Sequence, residues 1–300
     1  MPKISGKDLE FWFDGKEYPV LSVSFSEEFD QLEATDTSTP GDGKDFELGR
    51  ANREISVEMF LYTPDGAEIN SGTLVAGKKY RVTAKSTVLT AYDIGQIFVA
   101  NGTEVMSAND KVVPLGDRIT GKDMSFSFNS VTVPVTDADV SINYDTQDST
   151  DTSTVGDASE VGVSRAERES KISLIAKSED TDLLTTNPTA QSATLTFKTG
   201  QTISGQAIPV SKNIADETLG LAKVDYSFKW KGAPTETALG LPTAQEKTFK
   251  IILKRGASTN KQYTGNAIIT SKQITSNVKE LTKMTLGMFI NGAVTYAVAN

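Results

Sequence analysis

The sequence predicts a mainly β protein: two copies of one sandwich- or barrel-like β unit, each with room for one short helix, and a small extra β module. Two internal repeats and a recurrent period-two alternation of apolar side chains predict it. Residues 4–61 recur at 119–176 without a gap, with 21 identities in 58 aligned positions. Phe11, Phe13, Pro19 and Val20 return as Phe126, Phe128, Pro134 and Val135, and Arg50, Ala51, Arg53 and Glu54 as Arg165, Ala166, Arg168 and Glu169. A second repeat, 60 residues along the chain, turns Gly205, Ala207, Ile208, Ser211, Lys212 and Ile214 into Gly265, Ala267, Ile268, Ser271, Lys272 and Ile274.

The halves run first, first, second, second, whereas tandem duplication would alternate them. Insertion of one copy into an exposed loop of the other accounts for that order. It predicts an outer unit of residues 1–62 and 243–300, an inner unit of 119–242, and the unduplicated 63–118 as the extra module, placed externally. Simple tandem pairing of the halves would require connections that cross between domains.

Leu9, Phe11 and Phe13 alternate up to the turn pair Asp14-Gly15, and Tyr18, Pro19 and Val20 open a run continued by Val23 and Phe25. Residues 8–26 therefore read as a β-hairpin, with 124–130 as its repeat. Residues 30–50 are rich in Thr, Ser, Asp and Gly without apolar periodicity and read as a long loop, as do 145–165. Ile55, Val57, Met59 and Leu61 alternate along the next strand, and Ile172 and Leu174 answer Val57 and Met59. Further strands read at 194–198, 206–211, 222–231, 248–254, 265–274 and 282–290. Lys231-Gly232-Ala233 and Asn291-Gly292-Ala293 are expected turns. Short helices are allowed at 179–186 and 235–246, and three short strands with glycine-bearing turns fill 63–118.

The chain of 300 residues contains no cysteine and no histidine. Disulfides, the usual zinc and haem ligands and every Ser-His or Cys-His nucleophilic arrangement are thereby excluded. A formal charge of −9 argues against a protein that grips nucleic acid through its phosphates. No apolar run reaches the ~20 residues that cross a bilayer, and no secretory leader is legible at the N-terminus, so synthesis in the cytoplasm is expected.

The stretch from Asp36 to Asp45 gathers Asp36, Asp42 and Asp45 among hydroxyls, yet it lacks calcium-loop spacing, and the second copy carries Ala158 and Glu160 where the first has Gly43 and Asp45. No metal and no cofactor is expected. Arg50, Arg53, Arg165 and Arg168 are interleaved with Glu54, Glu58, Glu167 and Glu169, a pattern that favours salt bridges over phosphate binding. No pair of carboxylates is marked for acid–base work, and Trp12 and Trp230 read as core or interface packing.

The opening GKDLEFWFDGKEYPV, the hydroxyl-rich acidic loop ending in GRANREISVEMF, and YTGNAIITSKQITSNVKELTKMTLGMFINGAVT at 263–295 resemble the major tail, or tail tube, proteins of long-tailed bacteriophages. The resemblance spans both copies. It implies a virion protein without catalysis that forms stacked rings around a lumen through which DNA passes. Single-domain members form hexameric rings, so a two-domain chain implies a trimeric ring with pseudo-sixfold symmetry. Tape measure, tail tip and terminator proteins are the implied partners. It also assigns assembly contacts to the two loops, represented by Thr35, Asp36, Thr37, Ser38, Thr39, Asp42, Arg50 and Arg53, and by Thr150, Asp151, Thr152, Ser153, Thr154, Asp157, Arg165 and Arg168. Another β-repeat structural or surface-adhesion protein is the alternative, and an enzyme working through carboxylates a third.

Overall fold

Alternating side chains without helical spacing leave the backbone one way to satisfy its polar groups, which is pairing between strands. The computed structural model describes residues 9–33, 46–107, 109–151, 159–175, 183, 189–198, 200–215, 223–240, 242, 245–253 and 260–299. Among them there is no helix, and the fold is all β. The strands are β1 (Leu9–Phe13), β2 (Lys16–Tyr18), β3 (Val20–Glu33), β4 (Phe46–Phe60), β5 (Gly72–Thr73), β6 (Lys79–Ala84), β7 (Ile97–Val99), β8 (Val105–Met106), β9 (Lys111–Pro114) and β10 (Ser125–Phe128). They continue with β11 (Val131–Pro134), β12 (Asp137–Asp148), β13 (Val161–Ile175), β14 (Gln191–Lys198), β15 (Gln201–Ala215), β16 (Lys223–Thr237), β17 (Lys247–Leu253), β18 (Asn260–Asn277) and β19 (Lys283–Ala299).

One large antiparallel sheet contains two paths with the same order of neighbours. Strands from the two ends of the chain run β2-β1-β17-β18-β19-β4-β3, and strands from the middle run β11-β10-β14-β15-β16-β13-β12. The registers repeat as well. The bulge between Phe29 and Gln31 has its counterpart between Tyr144 and Thr146, 115 residues on. Those between Thr264 and Asn266 and between Ile269 and Ser271 recur at Ser204/Gln206 and Pro209/Ser211, 60 residues earlier. One pairing joins the two paths: β12 lies antiparallel to the C-terminal half of β18, from Asp137 opposite Asn277 to Asn143 opposite Ser271.

Four expectations change. The hairpin holds only for β1 and β2 around Asp14-Gly15; β3 leaves it after Pro19 and pairs with β4 instead. The expected loop 30–50 is strand as far as Glu33 and again from Phe46. Composition misled there because Glu28–Glu33 and Glu47–Leu48 are exposed to solvent, so no apolar alternation is required of them. Gly232 and Gly292 do not end their strands. Both take positive φ at bulges inside β16 and β19, which continue to Thr237 and Ala299. Of the two allowed helices, 235–237 is the end of β16, and most of 179–186 lies outside the described residues.

A single apolar core runs beneath the large sheet, from Phe11, Phe13 and Met59 to Phe126, Phe228 and Ile274. Phe228 packs its ring 4.8 Å from Phe126 and 5.1 Å from Phe128. Trp12 and Trp230 are both buried; Lys250 sits over the Trp12 ring at 3.9 Å, and the Trp230 indole N–H donates to Ser170 Oγ at 2.7 Å. The 63–118 region has its own core of Leu74, Tyr80, Val82, Leu89, Phe98, Met106 and Val112, under the sheet β7-β6-β9 and the pair β5-β8. Burial disfavours the charged form of Asp110, but backbone N–H groups of Ser86, Thr87 and Leu89 and the Ser107 hydroxyl outweigh it and hold the carboxyl far below its ordinary range. The module sits against the free edge of β2: Glu17 N–H donates to Gly95 O at 3.0 Å, Ile97 N–H to Glu17 Oε2 at 2.6 Å, and Arg81 to Glu17 O at 3.0 Å. It covers an edge that would otherwise be exposed.

Candidate assembly surface

The pairing between β12 and β18 makes eight strands continuous, in the order β3-β4-β19-β18-β12-β13-β16-β15. Residues paired across an antiparallel ladder share a face. One such row runs Val23, Val57, Leu286, Lys272, Ile142 and Arg168; another runs Met59, Met284, Ile274, Val140, Ser170 and Phe228. These side chains are on the core face.

The opposite face is polar. Its rows include Ser22, Glu58, Thr285, Gln273, Ser141, Glu169 and Lys229, and Lys283, Thr275, Asp139, Lys171, Ser227 and Ser211. Short of the bulges in the arms, it carries the carboxylates of Glu28, Glu54, Glu58, Asp137, Asp139, Glu167, Glu169 and Asp225 against the ammonium groups of Lys171, Lys223, Lys229, Lys231 and Lys283, eight negative and five positive, a net −3. Cross-strand contacts hold these side chains in place. Lys229 meets Glu167 at 2.5 Å and Glu169 at 3.5 Å, Lys283 meets Glu58 at 3.1 Å, and Gln273 donates to Asp139 at 2.7 Å. Glu167, with Glu169 beside it, raises the Lys229 ammonium above its ordinary pKa. A wide polar surface with excess negative charge repels phosphates and neutralises none of them.

Of the loop residues named from the sequence, Thr35, Asp36, Thr37, Ser38, Thr39, Asp42, Thr152, Ser153, Thr154 and Asp157 lie outside the described residues, as does Asp45. Arg50, Arg53, Arg165 and Arg168 stand on two β-arms, β3/β4 and β12/β13, rather than on loops, while Thr150 and Asp151 lie just beyond the end of β12. Arg50 and Arg165 are exposed on their arms. Arg53 is buried, and its Nε donates to Glu27 Oε1 at 2.6 Å on the neighbouring strand. Arg168 donates to the Ala166 carbonyl at 3.3 Å. Thr150 Oγ1 donates to Glu160 O at 3.2 Å and its N–H to Asp148 Oδ1 at 2.9 Å, closing the base of the second arm; Asp151 follows it, exposed. That arm reaches the other set of strands: Val161 N–H donates to Asn291 Oδ1 at 2.9 Å, and Asn291 Nδ2 donates back to Val161 O at 3.0 Å. Glu58, Glu167 and Glu169 pair with lysines and Arg53 with Glu27, partners that only strand pairing reveals and not the interleaved pairs expected from the sequence.

Sequence reasoning missed the two outer edges of the eight-stranded sheet. Among the described residues β3 pairs only with β4, leaving its other edge open, and β15 beyond Ala207 pairs only with β16. On that stretch of β15, Val210 and Ile214 are 55% and 61% exposed. No local signal marks them, because Ile214 matches Ile274 at the offset of 60 and yet only Ile274 is buried.

Several crevices carry charged groups in their lining; a wide one, about 670 Å³, lies beside Trp12, Lys85, Asp93 and Lys250. A narrower one measures about 240 Å³ beside Tyr18 and Pro19, and its Arg81 binds Asp65 and the Glu17 carbonyl. Among the described residues no group of three or more acidic side chains is placed to hold a metal ion, and no helix is long and apolar enough to cross a membrane. No protein-family model matches the chain, and no curated protein matches it.

Proposed function

We propose that this chain is a structural subunit without catalytic activity that assembles into closed rings of three chains, stacked as the tail tube of a long-tailed bacteriophage. In this reading residues 1–62 with 243–300 and residues 119–242 are two nested copies of one tube domain, and 63–118 is an external module. The observation that carries it is the β12–β18 junction, which joins two identically ordered sets of strands while leaving one edge open at each end of the joined sheet. Such an object binds copies of itself head to tail, and head-to-tail contacts close into rings when their rotation returns to the start.

The polar face, with its excess of carboxylates, forms the lumen, where DNA slides without adhering. The resemblance of 6–20, 49–60 and 263–295 to tail tube proteins points the same way, with tape measure, tail tip and terminator proteins as further partners. Sedimentation velocity across a concentration series tests the reading. A discrete species at three times the chain mass of 32.2 kDa is expected, with larger stacked species above it. A chain that remains monomeric at the highest attainable concentration overturns it.

A further inference from the structure

Every chain carries within itself one finished example of a junction between two strand sets, and its two open edges are the separated halves of a second. The finished example is β12 against the C-terminal half of β18. By the offset of 115, β12 corresponds to β3; by the offset of 60, β18 corresponds to β15. The strand in β3's position on one side and the strand in β15's position on the other are both open among the described residues.

We infer that β3 of one copy of this chain pairs antiparallel with β15 of a second copy, in the register that the internal junction dictates. Carrying over Asp139–Thr275, Val140–Ile274, Ser141–Gln273, Ile142–Lys272 and Asn143–Ser271 gives Ser24 opposite Ala215, Phe25 opposite Ile214, Ser26 opposite Asn213, Glu27 opposite Lys212 and Glu28 opposite Ser211. This rests on the ring reading above and specifies the surface and register it leaves open.

The chemistry of the two edges agrees with the transfer. Val140 and Ile274 face each other in the internal junction and are 2% and 1% exposed. Their counterparts are also apolar, but Ile214 is 61% exposed and Phe25 only half-buried, as expected for residues whose covering strand belongs to another molecule. Where the internal junction sets Lys272 against the neutral Ile142, the second places Lys212 opposite Glu27, so opposite charges meet across the new contact. On the polar face, small polar residues meet in both: Ser141 with Gln273, and Ser26 with Asn213. An open strand edge presents unpaired N–H and C=O groups, the kind of surface that recruits another strand. β3 offers this edge over a long run, and β15 offers a complementary one whose apolar residues remain uncovered. Each chain has one of each, so every β3 finds a β15 and neither of these two edges stays open when a ring closes.

The absence of cysteine makes the register directly testable. Ser26→Cys with Asn213→Cys places two thiols opposite each other between chains, within disulfide reach for residues paired across strands. Ser26→Cys with Ala215→Cys shifts the pair by two residues, and Ser141→Cys with Gln273→Cys reports the internal junction. Under mild oxidation at ring-forming concentration, the first variant is expected to give covalent dimers and trimers on non-reducing gels, the second several-fold less, and the third an intrachain bond in monomers. Rings seen by sedimentation with no 26–213 linkage, or with the shifted pair linking better, overturn the register and leave the ring reading standing. If the 141–273 bond forms while the chain stays monomeric throughout, both fall.

Discussion

Ile214 and Ile274 are the same residue in two repeats, and replacing each with alanine separates folding from assembly. Ile274 is 1% exposed beneath the internal junction, so Ile274→Ala removes a fully packed side chain and should destabilise the chain by about 2–5 kcal/mol. Ile214 is 61% exposed, so little of its burial is lost in the isolated chain, and Ile214→Ala should cost less than about 1 kcal/mol of folding stability. Assembly reverses the ranking. Covering the remaining three-fifths of an isoleucine, whose complete burial is worth about 1.5–3 kcal/mol, contributes about 1–2 kcal/mol per junction. That corresponds to roughly a tenfold loss of affinity at each contact, and to about a thousandfold loss over three contacts of one ring. Urea denaturation of dilute chain reads the first quantity and sedimentation velocity the second. The reasoning is refuted if Ile214→Ala destabilises the monomer as much as Ile274→Ala does, or if it assembles like the parent.

Three further outcomes follow from local structure. Asn129 and Ser130 both take positive φ in the β10–β11 turn, where the equivalent turn has Asp14-Gly15, so Ser130→Gly should relieve left-handed strain and stabilise by about 0.5–1 kcal/mol in thermal denaturation. Asp110→Asn removes the charge and replaces with an amide donor one of the two oxygens that gather Ser86, Thr87, Leu89 and Ser107, and should lower the melting temperature of the 63–118 module; because folding depresses the Asp110 pKa, its stabilisation is full above about pH 4 and is lost as the pH falls further, so the variant's deficit should shrink in acid. Asp139→Lys with Glu169→Lys changes the net charge from −9 by +4 to −5 and removes the polar face's excess of carboxylates, so fluorescence anisotropy should detect salt-sensitive binding of a short DNA duplex tighter than the parent's.

Much of the strand content was legible because burial enforces alternation. Phe11 and Phe13, Ile55 to Leu61, and Phe126 and Phe128 all pack into the core, and their period of two follows. The ungapped repeat anticipated the matching bounds of β4 and β13, Phe46–Phe60 and Val161–Ile175. Where strands project beyond the core, as at Gln31, Glu33 and Glu47, neither face is buried and composition imitates a loop. Gly232 and Gly292 were misread because a positive-φ glycine serves a bulge as well as a turn, and only the partner strand distinguishes them. The junction of Val140 with Ile274 joins residues 134 positions apart, and no local pattern encodes such a contact. The same non-locality hid the open edge at Ile214, whose sequence is that of its buried twin.

Self-assembly is the central claim, and electron microscopy of the purified protein before and after concentration tests it most directly. Rings and hollow tubes with threefold or pseudo-sixfold end views are the predicted result, with extra density outside the wall from the 63–118 module. Isolated particles of one-chain size under all conditions would contradict the account.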